Sequence, residues 1–252
     1  KGGAEAELTL LEDPDAGERR QTWRFPNRID CMACHSRAAN FVLGLTEAQL
    51  NRDQDYGAAH DNQLRALDHI GLFAGTLPGP PKDLGKLVDP YDASRDLEAR
   101  ARAYLHVNCS VCHVAAGGGN AKMELGAATP RERMSLLGAR PQHDAFGIEN
   151  AMLVAPGEPR SSVLLHRLSH RGRGQMPPIV TARVDEGAVE LMRDWIAQMK
   201  PERAIVREWQ MDDLLPVLEK AKIGRSFASG QGAFRDSGCV QCHRFAGEGG
   251  TV

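Results

Sequence analysis

The placement of cysteine constrains this chain more than any other feature. All six cysteines occur in pairs separated by two residues, and a histidine directly follows every pair. The three segments are Cys31-Met32-Ala33-Cys34-His35, Cys109-Ser110-Val111-Cys112-His113 and Cys239-Val240-Gln241-Cys242-His243. Because the chain has only nine histidines among 252 residues, chance does not explain three such coincidences. The pattern therefore predicts three copies of one chemical site.

Covalent attachment of haem c explains this spacing. Two thiols on one helical turn can add to the two vinyl groups of a porphyrin, and the imidazole of the next residue is then placed to bind the iron. We therefore expect three covalently bound haem c groups. Their attachment residues are Cys31, Cys34, Cys109, Cys112, Cys239 and Cys242, and their proximal iron ligands are His35, His113 and His243.

Other uses of paired cysteines fit less well. A zinc ribbon needs two pairs within about 15–20 residues of each other, but the gaps from Cys34 to Cys109 and from Cys112 to Cys239 are far longer. A thioredoxin-like pair needs a βαβ context, which the sequence does not show. Disulfides rarely close a gap of two residues. None of these alternatives explains the histidine that follows each pair.

Composition and charge exclude two classes of partner. Hydrophobic residues make up 42% of the chain and charged residues 25%, which is typical of a globular protein. No apolar run approaches the roughly 20 residues that a membrane helix needs. The 31 basic and 33 acidic residues give a net charge of −2, so we expect no nucleic acid partner.

Haem c is attached outside the cytoplasm, so we expect a periplasmic or otherwise extracytoplasmic protein. The chain opens at Lys1 without a charged and then apolar leader, and only nine residues follow His243. The sequence therefore predicts that these residues belong to a larger polypeptide or complex.

The motifs and linkers divide the chain into four segments. Residues 1–24 form an extended leader, residues 25–90 a first haem domain, residues 91–200 a second, and residues 201–252 the start of a third, incomplete one. Periodicity predicts a helix from His60 to Ile70 and a helix near Asp213 to Lys220. Two further predicted helices bracket the second domain, one from Leu97 into Cys109 and one capped by Asp185. Gly117-Gly118-Gly119 predicts a flexible loop.

Several stretches resemble known haem proteins. The segments 101–113, 153–157, 175–178 and 194–196 are similar to a class I cytochrome c domain of large secreted bacterial multihaem proteins. Segments 23–26 and 62–64 resemble the companion haem domain that precedes it, and segment 224–250 resembles the start of a further cytochrome c domain. The resemblance implies a mainly α fold of tandem small cytochrome c-like haem domains, with a short strand-like leader and long loops.

The sixth ligand of the second haem is predicted to be Met176. It lies 63 residues after His113, matching the class I cytochrome arrangement, and Pro177 and Pro178 stiffen the loop that carries it. The other candidates in this segment are Met123, Met152, His166 and His170.

The first and third haems lack an obvious methionine ligand. Met32 lies inside the first motif and cannot reach across the porphyrin, which leaves His69 or His60. We favour His69, because Ile70, Leu72 and Phe73 flank it. For the third haem the options are Met211, a residue beyond Val252, a ligand from a partner chain, or an open site.

Three covalent haems predict an electron relay between a donor, such as a dehydrogenase, and a downstream acceptor. A haem-carrying subunit of a respiratory or photosynthetic complex fits the same pattern. The alternative is a haem enzyme of the dihaem peroxidase or oxidase type, in which one iron keeps an open distal position. Such an enzyme needs acid–base groups beside the iron, for which His106, His143 and Glu149 are candidates.

Overall fold

The computed structural model describes residues 2–13, 17–200, 211, 215, 223–241, 243–245 and 247–250. The chain forms two compact units, Lys1–Glu202 and Arg203–Val252. The first unit therefore carries the first two cysteine–histidine motifs, and the second unit carries the third.

The first unit opens with an antiparallel hairpin. Strand β1 (Ala4–Asp13) pairs with strand β2 (Gly17–Phe25), with Ala4 opposite Phe25 and Leu10 opposite Arg19. The leader expected over residues 1–24 thus forms a two-stranded sheet. The helix that carries the first motif begins shortly after β2 ends.

Five short elements follow the hairpin. They are α1 (Arg28–Cys34), α2 (Glu47–Leu50), β3 (Asp53–Asp55), β4 (His60–Asn62) and α3 (Gln63–His69). Strand β4 pairs with β3. The helix predicted to begin at His60 begins only at Gln63, because the side chain of Asn62 caps it by accepting a hydrogen bond from the backbone N–H of Leu64.

A buried asparagine binds the linker that follows α3, the proline-rich segment that contains Pro81, Leu84 and Gly85. Asn51 is 3% exposed, and its side-chain amide donates to the backbone oxygens of Pro81, Leu84 and Gly85. Its side-chain oxygen accepts a hydrogen bond from Asn62 at 2.9 Å. This proline-rich segment is therefore held by specific hydrogen bonds against the region between α2 and α3.

The main apolar core lies around two helices that contact each other, α4 (Leu97–Cys109) and α6 (Glu186–Ala197). The short helix α5 (Val163–Leu168) packs against α6. Both helices that periodicity predicted here are confirmed, with Asp96 and Asp185 as their N-caps. The fully buried residues are Ala101, Leu105, Leu125, Met134, Leu136, Val154, Ala188, Met192, Trp195 and Ile196.

The second unit contains helix α7 (Phe227–Asp236) and two short paired strands, β5 (Arg244–Phe245) and β6 (Glu248–Gly249). The ring of Phe245 lies 5.6 Å from the rings of Phe227 and Phe234, measured between centroids. The helix predicted near Asp213 to Lys220 lies largely outside the described residues.

The expected fold class, a mainly α chain of tandem cytochrome c-like domains, is wrong. Of the described residues, 33% are helical and 14% lie in strands. The strand-like leader expected at the N-terminus is a paired hairpin, in which β1 and β2 take up 10 and 9 residues. The helix expected from His60 to Ile70 is shorter, since α3 has 7 residues.

Candidate haem-attachment sites

The three motifs share one backbone geometry. In each, the backbone N–H of the histidine donates a hydrogen bond to the backbone oxygen of the first cysteine: His35 to Cys31, His113 to Cys109 and His243 to Cys239, all at 2.9 Å. This bond closes a single helical turn. In the first two motifs the turn places both cysteines and the histidine on one short stretch of backbone, as attachment of one porphyrin requires.

The first motif lies at the end of α1. Asn27 forms a capping box with Asp30: the Asn27 side chain accepts from the Asp30 backbone N–H, and the Asp30 carboxylate accepts from the Asn27 N–H. The helix therefore begins at a fixed point after β2. Its last turn contains Cys31 and Cys34, and His35 is its C-cap.

The imidazole of His35 is oriented by a backbone carbonyl. Its Nδ1 lies 2.6 Å from the oxygen of Phe41. Since a carbonyl oxygen only accepts, Nδ1 carries the proton and Nε2 keeps a lone pair. That tautomer is the one a proximal haem ligand needs. Phe41 and its neighbour Asn40 adopt left-handed backbone angles, φ 59° and 55°, which turn the carbonyl back towards the histidine.

Apolar side chains are exposed around the first motif. Ile29, Met32, Phe41, Val42 and Leu45 are between 47% and 83% exposed. Isolated exposed apolar residues are ordinary, but a concentration of them marks a binding surface. A porphyrin has two apolar faces, so these residues suit its contact surface.

The second motif lies at the end of α4 and is more deeply buried. His113 is 8% exposed, and its Nδ1 has no hydrogen-bond partner of acceptable geometry among the described residues, although the backbone of Ala121 is near. Burial lowers the pKa of His113, and the nearby charge of Arg167 lowers it further. The neutral imidazole that results is the form that binds metals.

Burial also keeps the thiols of this motif protonated. It raises the pKa of Cys109 to about 12. The pKa of Cys112 is likewise raised to about 12, by burial and then by the neighbouring Cys34. A thioether carries no charge, so bonding these sulfurs to a porphyrin is compatible with their apolar setting.

The first two motifs touch. The sulfur of Cys112 lies 3.5 Å from the sulfur of Cys34 and 3.2 Å from the backbone oxygen of Ala33. The two cysteines are 78 residues apart in the chain. Nothing in the spacing of the motifs indicated this contact.

The triple glycine after the second motif lies in a loop, as predicted, and a side chain at each of its positions would overlap one of the motifs. A Cβ added to Gly117 would lie 2.2 Å from the oxygen of Cys112, and one added to Gly118 would lie 2.3 Å from the oxygen of Ala33. A Cβ on Gly119 would lie 2.6 Å from Nδ1 of His113. Each of these three positions therefore favours glycine, because a side chain there would overlap a different atom of the two motifs.

Met176 lies half-buried in a loop of the first unit. Its backbone N–H donates to the oxygen of Arg167, whose guanidinium donates to the oxygen of Gly174, both at 2.9 Å. Because the charge of Arg167 also acts on His113, the Met176 loop lies in the neighbourhood of the second motif. The end of this loop borders a cleft of about 260 Å³, together with Trp23 and Asp30.

The other candidates for the sixth ligand of the second haem have structural contacts of their own. Met123 packs against the main core, and Met152 is half-buried beside it, bonded through its backbone to Ser161 and Val163. The ring of His166 lies 4.6 Å from those of Phe146 and His170. These contacts favour Met176 without excluding the others.

The two histidine candidates for the first haem are both exposed. His60 lies in β4, with its Nε2 3.6 Å from the carboxylate of Asp55 and 77% of its side chain exposed. His69 lies exposed in the last turn of α3. Using Nε2 of His60 as an iron ligand would displace its contact with Asp55, so the geometry favours His69.

The third motif is only partly described. Cys239 and His243 are exposed, and Cys242 lies outside the described residues. A Cβ on Gly249 would lie 2.1 Å from the backbone oxygen of His243, so this glycine packs directly on the motif. Met211, a candidate ligand, is 68% exposed.

The candidate acid–base groups of the enzyme alternative differ in burial. His106 is half-buried, and its Nδ1 accepts from the backbone N–H of Ala127. His143 and Glu149 are exposed.

Sequence reasoning missed Phe41, Arg167 and the three glycines. The run Gly117-Gly118-Gly119 directly after a motif was the available signal, since glycine also serves where backbones approach closely. Phe41 contributes its backbone oxygen, and Arg167 contributes its backbone oxygen and its guanidinium. Neither residue belongs to a motif that the sequence could have shown.

Within the described ranges, no group of three or more His, Cys, Asp or Glu side chains is arranged to hold a bare metal ion. The described helices also include none long and apolar enough to cross a membrane. Three features of the described residues fit haem c. They are the hydrogen-bonded turn that the motifs share, the donation from Nδ1 of His35 to the Phe41 carbonyl, and the buried imidazole of His113, whose pKa is lowered. No protein-family model, curated protein or solved structure matches the chain.

Proposed function

We propose that this protein is an extracytoplasmic c-type cytochrome that binds three haem c groups and relays electrons. The observation that carries the proposal is the identical turn in all three motifs, where the histidine N–H bonds the oxygen of the first cysteine at 2.9 Å. When bound, haem supplies one-electron chemistry, while the protein sets its position and potential. The resemblance to multihaem cytochromes supports the same function.

The chain's own residues have distinct tasks in this proposal. Both cysteines of each motif hold the porphyrin, and His35, His113 and His243 bind iron through Nε2. The Phe41 carbonyl fixes the His35 tautomer. Arg167 holds the loop that presents Met176 as the second ligand on the haem of the second motif.

His69 is the proposed second ligand of the first haem, because His60 is engaged by Asp55. Two imidazoles on the first iron and an imidazole with a thioether on the second give the two centres different potentials, with the thioether raising the second. With bound haems, electrons would be expected to run from the first centre to the second, and His243 would hold a third haem that extends the relay.

Covalent haem attachment supports an extracytoplasmic location, with a donor such as a dehydrogenase and a downstream acceptor. The small net charge of −2 favours partners recognised by local surface patches rather than by overall electrostatic attraction.

The experiment that tests electron transfer against catalysis is a spin-state measurement on the haem-loaded protein. Low-spin iron in both redox states, with no spectral change on adding cyanide or carbon monoxide, is expected of a relay. A high-spin fraction that binds these ligands would overturn the relay for that haem and support a haem enzyme. Met176→Ala provides the positive control, because it opens one site on purpose.

A further inference from the structure

Two haem-attachment motifs that are remote in sequence share a sulfur–sulfur contact. The Sγ atoms of Cys34 and Cys112 lie 3.5 Å apart, and Sγ of Cys112 is 3.2 Å from the oxygen of Ala33. These atoms belong to the residues that would be bonded to two different porphyrins. The contact therefore concerns how two haems are placed relative to each other.

A backbone clasp maintains the contact. Gly118 approaches the oxygen of Ala33 so closely that a Cβ would lie 2.3 Å from it. Its neighbours Gly117 and Gly119 approach the second motif in the same way, at the oxygen of Cys112 and the ring of His113. One tripeptide thus packs on both motifs, and a side chain at Gly118 would push them apart.

Two simpler explanations of the sulfur contact are weaker. A structural metal would need further ligands, and within the described part of the chain no third His, Cys, Asp or Glu joins the pair in a metal-binding arrangement. A structural disulfide would have its sulfurs about 2.0 Å apart, and it would leave Cys31 and Cys109 without a role.

We propose that the first two motifs form one paired haem site, in which Gly117–Gly119 holds the Cys34 and Cys112 thioethers in contact. Each sulfur is a single bond away from a porphyrin substituent, so the bonded edges of the two haems meet at these sulfurs. Electrons then pass between the first and second haems without crossing intervening protein. The inference rests on haem binding, but its geometric part can be tested without haem.

The first test uses the haem-free chain. In a variant that keeps only Cys34 and Cys112, the other four cysteines being replaced by serine, diamide is expected to form one intramolecular disulfide. The two thiols lose two protons and two electrons, and diamide takes up both. The product is a monomer lighter by two hydrogens. Burial of Cys112 raises the pKa of its thiol and slows its reactions in the folded chain, so each cross-linking rate is divided by the rate at which iodoacetamide alkylates the same thiols. This ratio is expected to be lower for the protein unfolded in urea.

Matched glycine variants examine the clasp. Gly118→Ala is expected to slow cross-linking about tenfold, because the added methyl group displaces the Ala33 carbonyl. Gly75→Ala is the control, since nothing lies within 4 Å of a Cβ at that position. If Gly118→Ala does not fold, the variant that keeps only Cys34 and Cys112 still tests the pairing, through its cross-linking in the folded state and in urea. Equal cross-linking in both conditions, relative to alkylation of the same thiols, would overturn the pairing.

The second test uses the haem-loaded protein. Two haems in contact are expected to give a two-signed exciton signal in the Soret circular dichroism, weakened by Gly118→Ala and kept by Gly75→Ala. A full haem complement without this signal would contradict the pairing while leaving haem binding intact. A cross-link in the haem-free chain together with no haem attachment would instead contradict the proposed function alone.

Discussion

The backbone oxygen of Arg167 accepts a hydrogen bond from the backbone N–H of Met176 at 2.9 Å. The guanidinium of the same arginine donates to the oxygen of Gly174 and lies over the ring of Phe146, 4.6 Å from its centroid. Its charge also lowers the pKa of His113. A single residue therefore connects the loop that carries the proposed thioether ligand to the neighbourhood of the proposed proximal histidine.

Replacing Arg167 is expected to loosen the Met176 loop. Arg167→Gln removes a charged donor to Gly174, which is worth about 1.5–3 kcal/mol, and a fraction of the second haem should then lose its sulfur ligand. The weak absorption typical of sulfur–iron(III) ligation measures that fraction. Arg173→Gln is the control, because Arg173 is exposed on the same loop. Equal absorption in both variants would show that Arg167 does not hold the ligand.

Removing the thioether itself should act more strongly. Met176→Ala is expected to lower the potential of the second haem and abolish the sulfur–iron absorption, because a thioether favours the reduced iron. Met152→Ala provides the control, as Met152 is another half-buried methionine of the same segment. An unchanged potential and spectrum in Met176→Ala would show that another residue is the ligand.

The sequence was most informative where local patterns decide the structure. Asp185 was predicted as the N-cap of α6, and apolar spacing predicted the buried faces of α4 and α6, with Leu105, Met192 and Trp195. The same reasoning failed for the helix expected at His60, where pairing of β4 with β3 overrides helical periodicity.

Long-range contacts could not be predicted in this way. The pairing of β1 with β2 and the contact between Cys34 and Cys112 depend on how distant segments meet. The three cysteine–histidine motifs are readable from spacing alone, and their binding of haem stays a prediction. The close packing of Gly118 on Ala33 depends on the tertiary fold, so no local sequence pattern predicts it.

The proposed ligands predict the order of reduction of the first two haems. In a stepwise reductive titration followed by low-temperature EPR, the histidine–methionine signal is expected to disappear before the bis-histidine signal, because thioether ligation raises the potential. The reverse order would contradict electron flow from the first haem to the second. His69→Ala should alter only the bis-histidine signal, whereas His60→Ala should leave both signals in place.

The core around α4 and α6 should determine the stability of the first unit. Met192 is fully buried, so Met192→Ala is expected to lower the free energy of unfolding by about 2–5 kcal/mol. Met32→Ala, at a position 47% exposed, should change it much less. Urea unfolding followed by circular dichroism measures both. Equal losses would contradict the position of the core.

The central claim is that the three motifs bind haem covalently. The most direct measurement is the intact mass of the native protein after acid–acetone extraction, which removes haem that is not covalently bound. The expected mass is that of the polypeptide plus three haems, falling by one haem when Cys109 and Cys112 are both replaced by alanine. A colourless protein with the mass of the polypeptide alone would contradict the claim.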